Sequence, residues 1–401
     1  MTNAFFGLPS EVKFCTRCVI SNQRPRSTVE FKNSTDEKKE TIEFNESGLC
    51  EACQFHDTKE LGIDWSSREK ELMELCDRYR KPSGYDVVVP GSGGKDSAFT
   101  SHILKEKYGM NPLTVTWAPH LYTEIGWENF TNWIHVGGLD NILFTPNGKL
   151  HRYLTKEAFN NLLHPFQPFI VGQRIIGPMV ASKFGIDLVM YGENQAEYGN
   201  AAQENKSPLM QEKFFSAQDS SEIKLGGRTI KDHLKLTNFN EKDFEPYLPL
   251  RLQGNKLAQV HYLGYYLKWD PQECFYYAVE NTGFKPNPAR TEGTYSKYSS
   301  IDDKIDPFHY YTTYIKFGLG RASYDAAQEV RNDKITRDEA VSLVKQFDSE
   351  FPSKYFEEFI DYLGISREEF TNKIDENRSP HLWSKHPDGN WEIKHAVWMD
   401  K

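Results

Sequence analysis

The run Asp86-Val87-Val88-Val89-Pro90 leads directly into Gly91-Ser92-Gly93-Gly94-Lys95-Asp96-Ser97. Continuous β-branched residues suit a strand covered on both faces, as in a parallel sheet. The residues that follow predict a helix over 96–108, stopped by Gly109. A glycine loop between strand and helix lets backbone approach a ligand without Cβ clashes. Its N–H groups and the helix N-terminus together favour an anion. Lys95 adds a positive charge, and Ser92 and Ser97 add hydroxyl donors, so a polyphosphate is the expected ligand. The loop is not of the GxxxxGK[ST] type, because its first Gly would fall on Val89 and Asp96 stands where Ser or Thr should follow Lys. A carboxylate at that point fits a site in which Asp96 holds Mg²⁺ beside the phosphates.

The pattern repeats along the chain. Short strands are predicted at 112–117, 141–145 and 187–191, with helices at 66–80, 124–136, 149–163 and 170–184. Residues 259–267 fit either a fifth strand or a helix. Strands alternating with helices predict an α/β fold with a doubly wound, mainly parallel sheet. Past Asp306 only helices are expected, at 306–317, 322–332, 336–349, 353–363 and 366–376, with Thr336 and Glu339 as a capping box. Three regions follow: 1–65, 66–280 and 281–401.

Four of the six cysteines lie in the first region as two C-x-x-C pairs, Cys15/Cys18 and Cys50/Cys53. Two such pairs predict one tetrahedral thiolate site, most simply for structural Zn²⁺, since four thiolates leave no open position. An iron–sulfur cluster uses the same ligands. Residues 32–47 between the pairs are polar and predict a loop or ragged hairpin.

Charge limits the partners. With 48 Lys and Arg against 57 Asp and Glu, the net charge is −9, unlike a general nucleic-acid coat. The first 60 residues carry 8 basic and 10 acidic side chains, and only Arg17, Arg24 and Arg26 cluster, so no nucleic-acid partner is expected. No apolar run approaches the ~20 residues of a membrane helix. Residues 1–10 show no signal-peptide pattern, so a cytoplasmic location is expected.

Residues 92–97 resemble the SGGxDS signature of the PP-loop ATP pyrophosphatases, a likeness that spans roughly 85–200. It implies a PP-loop (adenine nucleotide alpha hydrolase-like) domain that cleaves ATP between its α and β phosphates. By that resemblance Gly91, Ser92, Gly93, Gly94, Lys95 and Ser97 cradle phosphate, Asp96 supports Mg²⁺, and backbone near Thr116 meets adenine. Phe14-Cys15-Thr16-Arg17-Cys18, Tyr191-Gly192-Glu193-Asn194 and Phe317-Gly318-Leu319-Gly320-Arg321-Ala322 extend the likeness over most of the chain. Together they resemble the N-acetyl sugar amidotransferases of bacterial surface-polysaccharide (lipopolysaccharide, O-antigen) and nonulosonic-acid pathways. Such enzymes convert an acetamido group to an acetamidino group through an O-adenylyl imidate, which ammonia then attacks.

Residue 2 is Thr, and neither Cys76 nor Cys274 has the glycine flanks of a nucleophile elbow, so ammonia is expected from a separate glutaminase. The resemblance likewise implies glutaminase and cyclase-like partner subunits. The acceptor is then an N-acetyl sugar, free or nucleotide-activated. Glu193 and Asn194 follow the predicted fourth strand and join Lys95 and Asp96 as candidate catalytic residues, with Glu197 and Tyr198 as weaker ones. Arg321 suits a substrate phosphate or carboxylate, or equally a structural ion pair at a helix start. His309 suits acid–base work or simple packing. Two other functions fit parts of the pattern: tRNA thiolation, which the lack of any Cys within 85–270 disfavours, and a zinc-ribbon adaptor with a vestigial nucleotide site.

Overall fold

The computed structural model describes residues 4–198, 206–250 and 257–399. Five strands form one parallel sheet: β1 (Val87–Pro90), β2 (Pro112–Trp117), β3 (Asp140–Phe144), β4 (Leu188–Tyr191) and β5 (Gln259–Tyr262). Their spatial order is β3-β2-β1-β4-β5. Val88 pairs with Leu113 on one side and Val189 on the other, which makes β1 central. The chain winds outward from β1 through α3 (Lys95–Glu106) and α4 (Glu124–His135), then returns through α5 (Gly148–Leu162) and α6 (Gln167–Phe184) to β4. The winding direction therefore reverses between β1 and β4, and ligands of such sheets bind at that switch point.

Side chains on alternate sides of a strand enter different cores. Val88, Val115 and Val189 join the core beneath α5 and α6. Val87, Val89, Leu188 and Met190 join the other core, with α3 and α2 (Trp65–Tyr79). Both faces of β1 are thus covered, which is why its sequence is uniformly apolar. β3 sits at the sheet edge and is largely exposed or half-buried.

Residues 259–267 satisfy both readings in turn, with β5 followed at once by a helical turn at Leu263–Tyr266. The cysteine region holds an unforeseen helix, α1 (Glu51–Leu61), which starts directly after Cys50. Its buried residues are Ala52, Cys53 and Lys59, so it has no apolar stripe to reveal it. Between the cysteine pairs lie isolated bridges, Pro25 to Thr41 and Phe44 to Cys50, in keeping with a ragged hairpin.

The expectation that only helices follow Asp306 is corrected. After the five helices the chain closes with an antiparallel hairpin, Trp383–Lys385 against Trp391–Ile393. Strands this short carry too little alternation to stand out, and the turn signal at Asp388-Gly389 marks the hairpin better. The capping box at Thr336 and Glu339 forms as expected. Helices Arg321–Arg331 and Arg337–Phe347 pack Ala326, Ala327, Val330, Ala340 and Val344 against the four cysteines. No helix among the described residues is long and apolar enough to cross a membrane.

Candidate functional site

The glycines at the end of β1 are required by close approach. A Cβ on Gly91 would lie 2.1 Å from Ser97 Cβ. Gly93 has φ +84°, and a Cβ there would lie 2.8 Å from Phe130 Cα. Gly94 caps α3, its carbonyl accepting from Ala98 N at 3.0 Å and Ser97 Oγ at 3.1 Å. The first-turn N–H groups of α3 have no intrahelical acceptor. The dipole of this 12-residue helix adds partial positive charge where they point.

The loop opens on a cleft of about 270 Å³ at the switch point, lined by Gly91, Ser92, Asp96 and Ser97 on one side and Gly192 and Glu193 on the other. Asp96 and Glu193 face this same space. Burial, and next the Asp96 carboxylate, push Glu193 up to about 8 against the pull of Lys95. Two carboxylates facing one space are oxygen donors suited to a hard cation such as Mg²⁺. Glu193 also accepts from Gln328 Nε2 at 2.5 Å.

Lys95 is engaged by its neighbour Asp96. Its Nζ donates to both oxygens of Asp96, at 2.7 and 2.6 Å. Burial would lower its pKa, but Asp96 and Glu193 outweigh that and hold it above the usual lysine value. Lys95 lines an adjoining cavity of about 40 Å³ with Arg321, Asp325 and Gln328. Arg321 opens the helix Arg321–Arg331, pairs with Asp325 at 3.1 Å and hydrogen-bonds Tyr310. It is therefore a structural ion pair at a helix start that also stands beside Lys95.

The other candidates divide. Asn194 is buried, and its Oδ1 accepts from Ala196 N at 3.1 Å, which shapes the turn after β4. Thr116 is fully buried, its hydroxyl accepting from Asn141 Nδ2 at 3.2 Å, so its side chain ties β2 to β3. Glu197 pairs with Lys59 of α1 at 2.9 Å, both side chains almost wholly buried. The side chain of Tyr198 lies outside the described residues. His309 stacks on His164 and Phe166 at 4.9 and 5.3 Å, and burial pushes it well below the usual histidine value, so it is a packed neutral ring.

Sequence reasoning missed Gln328, Lys59 and Asp302, whose carboxylate takes a hydrogen bond from Ser92. It also missed His120, whose Nδ1 meets Asp303 at 2.7 Å beside a separate cleft at the ends of β2 and β3. Each joins residues far apart in the chain, and no local spacing signals such pairs.

Cys15, Cys18, Cys50 and Cys53 are buried with their sulfurs all within 4.8 Å of one another. Cys15 to Cys53 and Cys18 to Cys50 are each 3.7 Å. A tetrahedron with metal–sulfur bonds of ~2.3 Å has edges of ~3.8 Å, so the four thiols fit a single ion. A cluster would spread them over separate irons. Cys50 N donates to Cys15 Sγ at 3.3 Å, and Arg17 clamps Asp57 of α1 with contacts at 2.5 and 3.1 Å. Arg26 is taken by Glu51 at 2.7 Å, and Arg24 lies over the Tyr324 ring at 5.0 Å. Cys274 lies close enough to Lys95 and Asp96 to feel their charges, but it is 2% exposed and burial pushes its thiol well above the usual range. Such a thiol is inert.

Residues 292–397 match the family model described as LPS biosynthesis protein WbpG-like, C-terminal domain. The match covers Arg321 and Gln328 and bears out the surface-polysaccharide side of the resemblance drawn from the sequence. No curated protein matches the chain. Among solved structures, the NH3-dependent NAD synthetase from Campylobacter jejuni is 18% identical over 32% of this chain and 56% of its own, with a TM-score of 0.26. The NMN synthetase from Francisella tularensis is 16% identical over 36% of this chain and 57% of its own, with a TM-score of 0.24. The U34-tRNA thiolase NcsA from Methanococcus maripaludis, described with its 4Fe-4S cluster, is 12% identical over 78% of this chain and 89% of its own, with a TM-score of 0.32. The chain spans little more than half the length of the two synthetases it matches.

Proposed function

We propose that this protein is an ATP-dependent amidotransferase that turns the acetamido group of a sugar into an acetamidino group. One observation carries the reading: a glycine loop with Asp96 and Glu193 lies at the switch point, and Gln328, which holds Glu193, comes from the segment that matches an LPS biosynthesis family.

An amide is a poor electrophile, and its oxygen is a poor leaving group. Its oxygen attacks the α-phosphorus of ATP, the bond from that phosphorus to the β-bridging oxygen breaks, and pyrophosphate leaves. The amide N–H proton is released, which leaves an O-adenylyl imidate. Ammonia adds to the imidate carbon, the carbon–oxygen bond breaks, and AMP departs with the proton balance restored. The loop N–H groups, Ser92 and Ser97 bind and orient the phosphates. Lys95, bonded to both oxygens of Asp96, keeps that side chain in place. Asp96 and Glu193 would hold Mg²⁺, which supplies charge neutralisation at the departing pyrophosphate. Ammonia comes from a separate glutaminase, docked with a cyclase-like subunit in the cytoplasm. The four cysteines hold structural Zn²⁺ and fix the lobe 1–65 to a body of two further regions, 66–280 and 281–401.

Incubation with ATP, Mg²⁺, ammonium and a panel of N-acetyl sugars tests this. AMP and a sugar with one oxygen exchanged for NH, seen by mass spectrometry, are expected. Asp96→Ala is expected to stop AMP release in a folded protein. ADP in place of AMP, or persistent turnover by that variant, would count against the assignment. tRNA thiolation is disfavoured by the buried, unreactive state of Cys274, the cysteine on which the charges of Lys95 and Asp96 act.

A further inference from the structure

The cleft at the glycine loop has a neighbour. Ser27 lines it, and Ser27 also lines a second cleft of about 270 Å³ between the cysteine lobe and the helix Asp306–Phe317. In a chain of net charge −9, this second cleft gathers Arg24, Arg26, Lys39 and Lys316 against one lining carboxylate, Glu30.

Lys316 is the telling member. It is 7% exposed, its Nζ donates to Leu162 O at 3.0 Å, and its ammonium lies 5.1 Å from the Phe317 ring centre. Glu30, the carboxylate that acts on it, already faces His164 at 3.4 Å. Burial and then Lys39 push Lys316 down to about 7. A buried cation with so little compensation is costly and gains from an anion that enters beside it. Arg24 is 6% exposed on the same wall, and Lys39 stands at the rim, its Nζ held by Asn33 at 2.7 Å and Glu37 at 3.1 Å. Arg26 is paired with Glu51 at 2.7 Å.

We infer that this cleft is an oxyanion subsite in which Lys316, Arg24 and Lys39 grip a carboxylate or phosphate group of the acceptor, while its amide reaches past Ser27 to the glycine loop. The identity of that ligand as the acceptor rests on the function proposed above; the anion site itself does not.

Calorimetric titration of the full chain tests it, with glucuronate and inorganic phosphate as probes and glucose as the uncharged control. Glucuronate or phosphate is expected to bind and glucose not to. Lys316→Met is expected to weaken that binding about tenfold, the worth of one charged hydrogen bond. Lys39→Gln, at the half-buried rim, is expected to weaken it in the same direction and covers the case of a misfolded Lys316 variant. Preference for glucuronate assigns a carboxylate to the acceptor, and preference for phosphate assigns a phosphate. Unchanged affinity in both variants, equal binding of glucose, or simple displacement of glucuronate by ATP overturns the subsite. Failure of ATP to bind while glucuronate still does would sink the nucleotide chemistry and leave the subsite standing.

Discussion

Glu197→Gln is the most informative single change outside the crevice. Lys59 and Glu197 are 138 residues apart, yet their side chains are 1% and 6% exposed and 2.9 Å from each other. Lys59 also donates to Trp269 O at 2.5 Å, and Arg331 Nη2 donates to the Glu197 carbonyl at 2.9 Å. This contact fixes α1, which carries Cys53, to the turn that follows Glu193. Glutamine keeps the shape and the Arg331 contact but leaves the Lys59 charge buried without its counter-ion. Removing one partner of a buried pair costs about 3–5 kcal/mol. With about 2.1 cal/mol/K of unfolding entropy per residue, a 401-residue chain shifts by about 1.2 °C per kcal/mol. The expected loss is therefore about 4–6 °C in Tm by calorimetry. The double variant Lys59→Met/Glu197→Gln is expected to recover part of that loss, because no bare charge remains. A Tm within a degree or so of wild type for Glu197→Gln would refute the reasoning, as would strictly additive costs in the double variant.

Three further outcomes are expected. Glu193 has its proton affinity raised on folding, so its contribution to stability is lost as pH rises from about 4.5 to 8; Glu193→Gln is then expected to melt above wild type at pH 8 while losing AMP-forming activity, and a lower Tm at that pH would contradict the assignment. Cys18→Ser is expected to reduce bound metal from one ion per chain to none by elemental analysis, with loss of lobe stability; retained stoichiometry would count against a four-thiolate site. Gly93→Ala forces a Cβ to 2.8 Å from Phe130 Cα at a positive φ, so about 2–4 kcal/mol of destabilisation and loss of nucleotide binding are expected, checked by melting and titration with ATP.

Local pattern made the core of this molecule legible. Val87 to Pro90 had to be buried on both sides, and the glycines after them had to make a tight, anion-facing turn, because those residue types allow little else. The two C-x-x-C pairs likewise declared a shared site, since each supplies two ligands on one short knuckle. Tertiary structure decided which neighbours these groups received. Lys95 bonds to Asp96, Asn194 folds into its own turn, and Thr116 bonds across to β3, although all three occupy the expected stretch of chain. Gln328 on Glu193, Glu197 on Lys59 and Lys316 beside Lys39 each bring together residues that no spacing rule connects. Sequence alone determines what a backbone segment is able to do, through sterics and periodicity. Burial, charge and direction at a side chain belong to the packed whole, because they depend on what the rest of the chain has placed a few ångströms away.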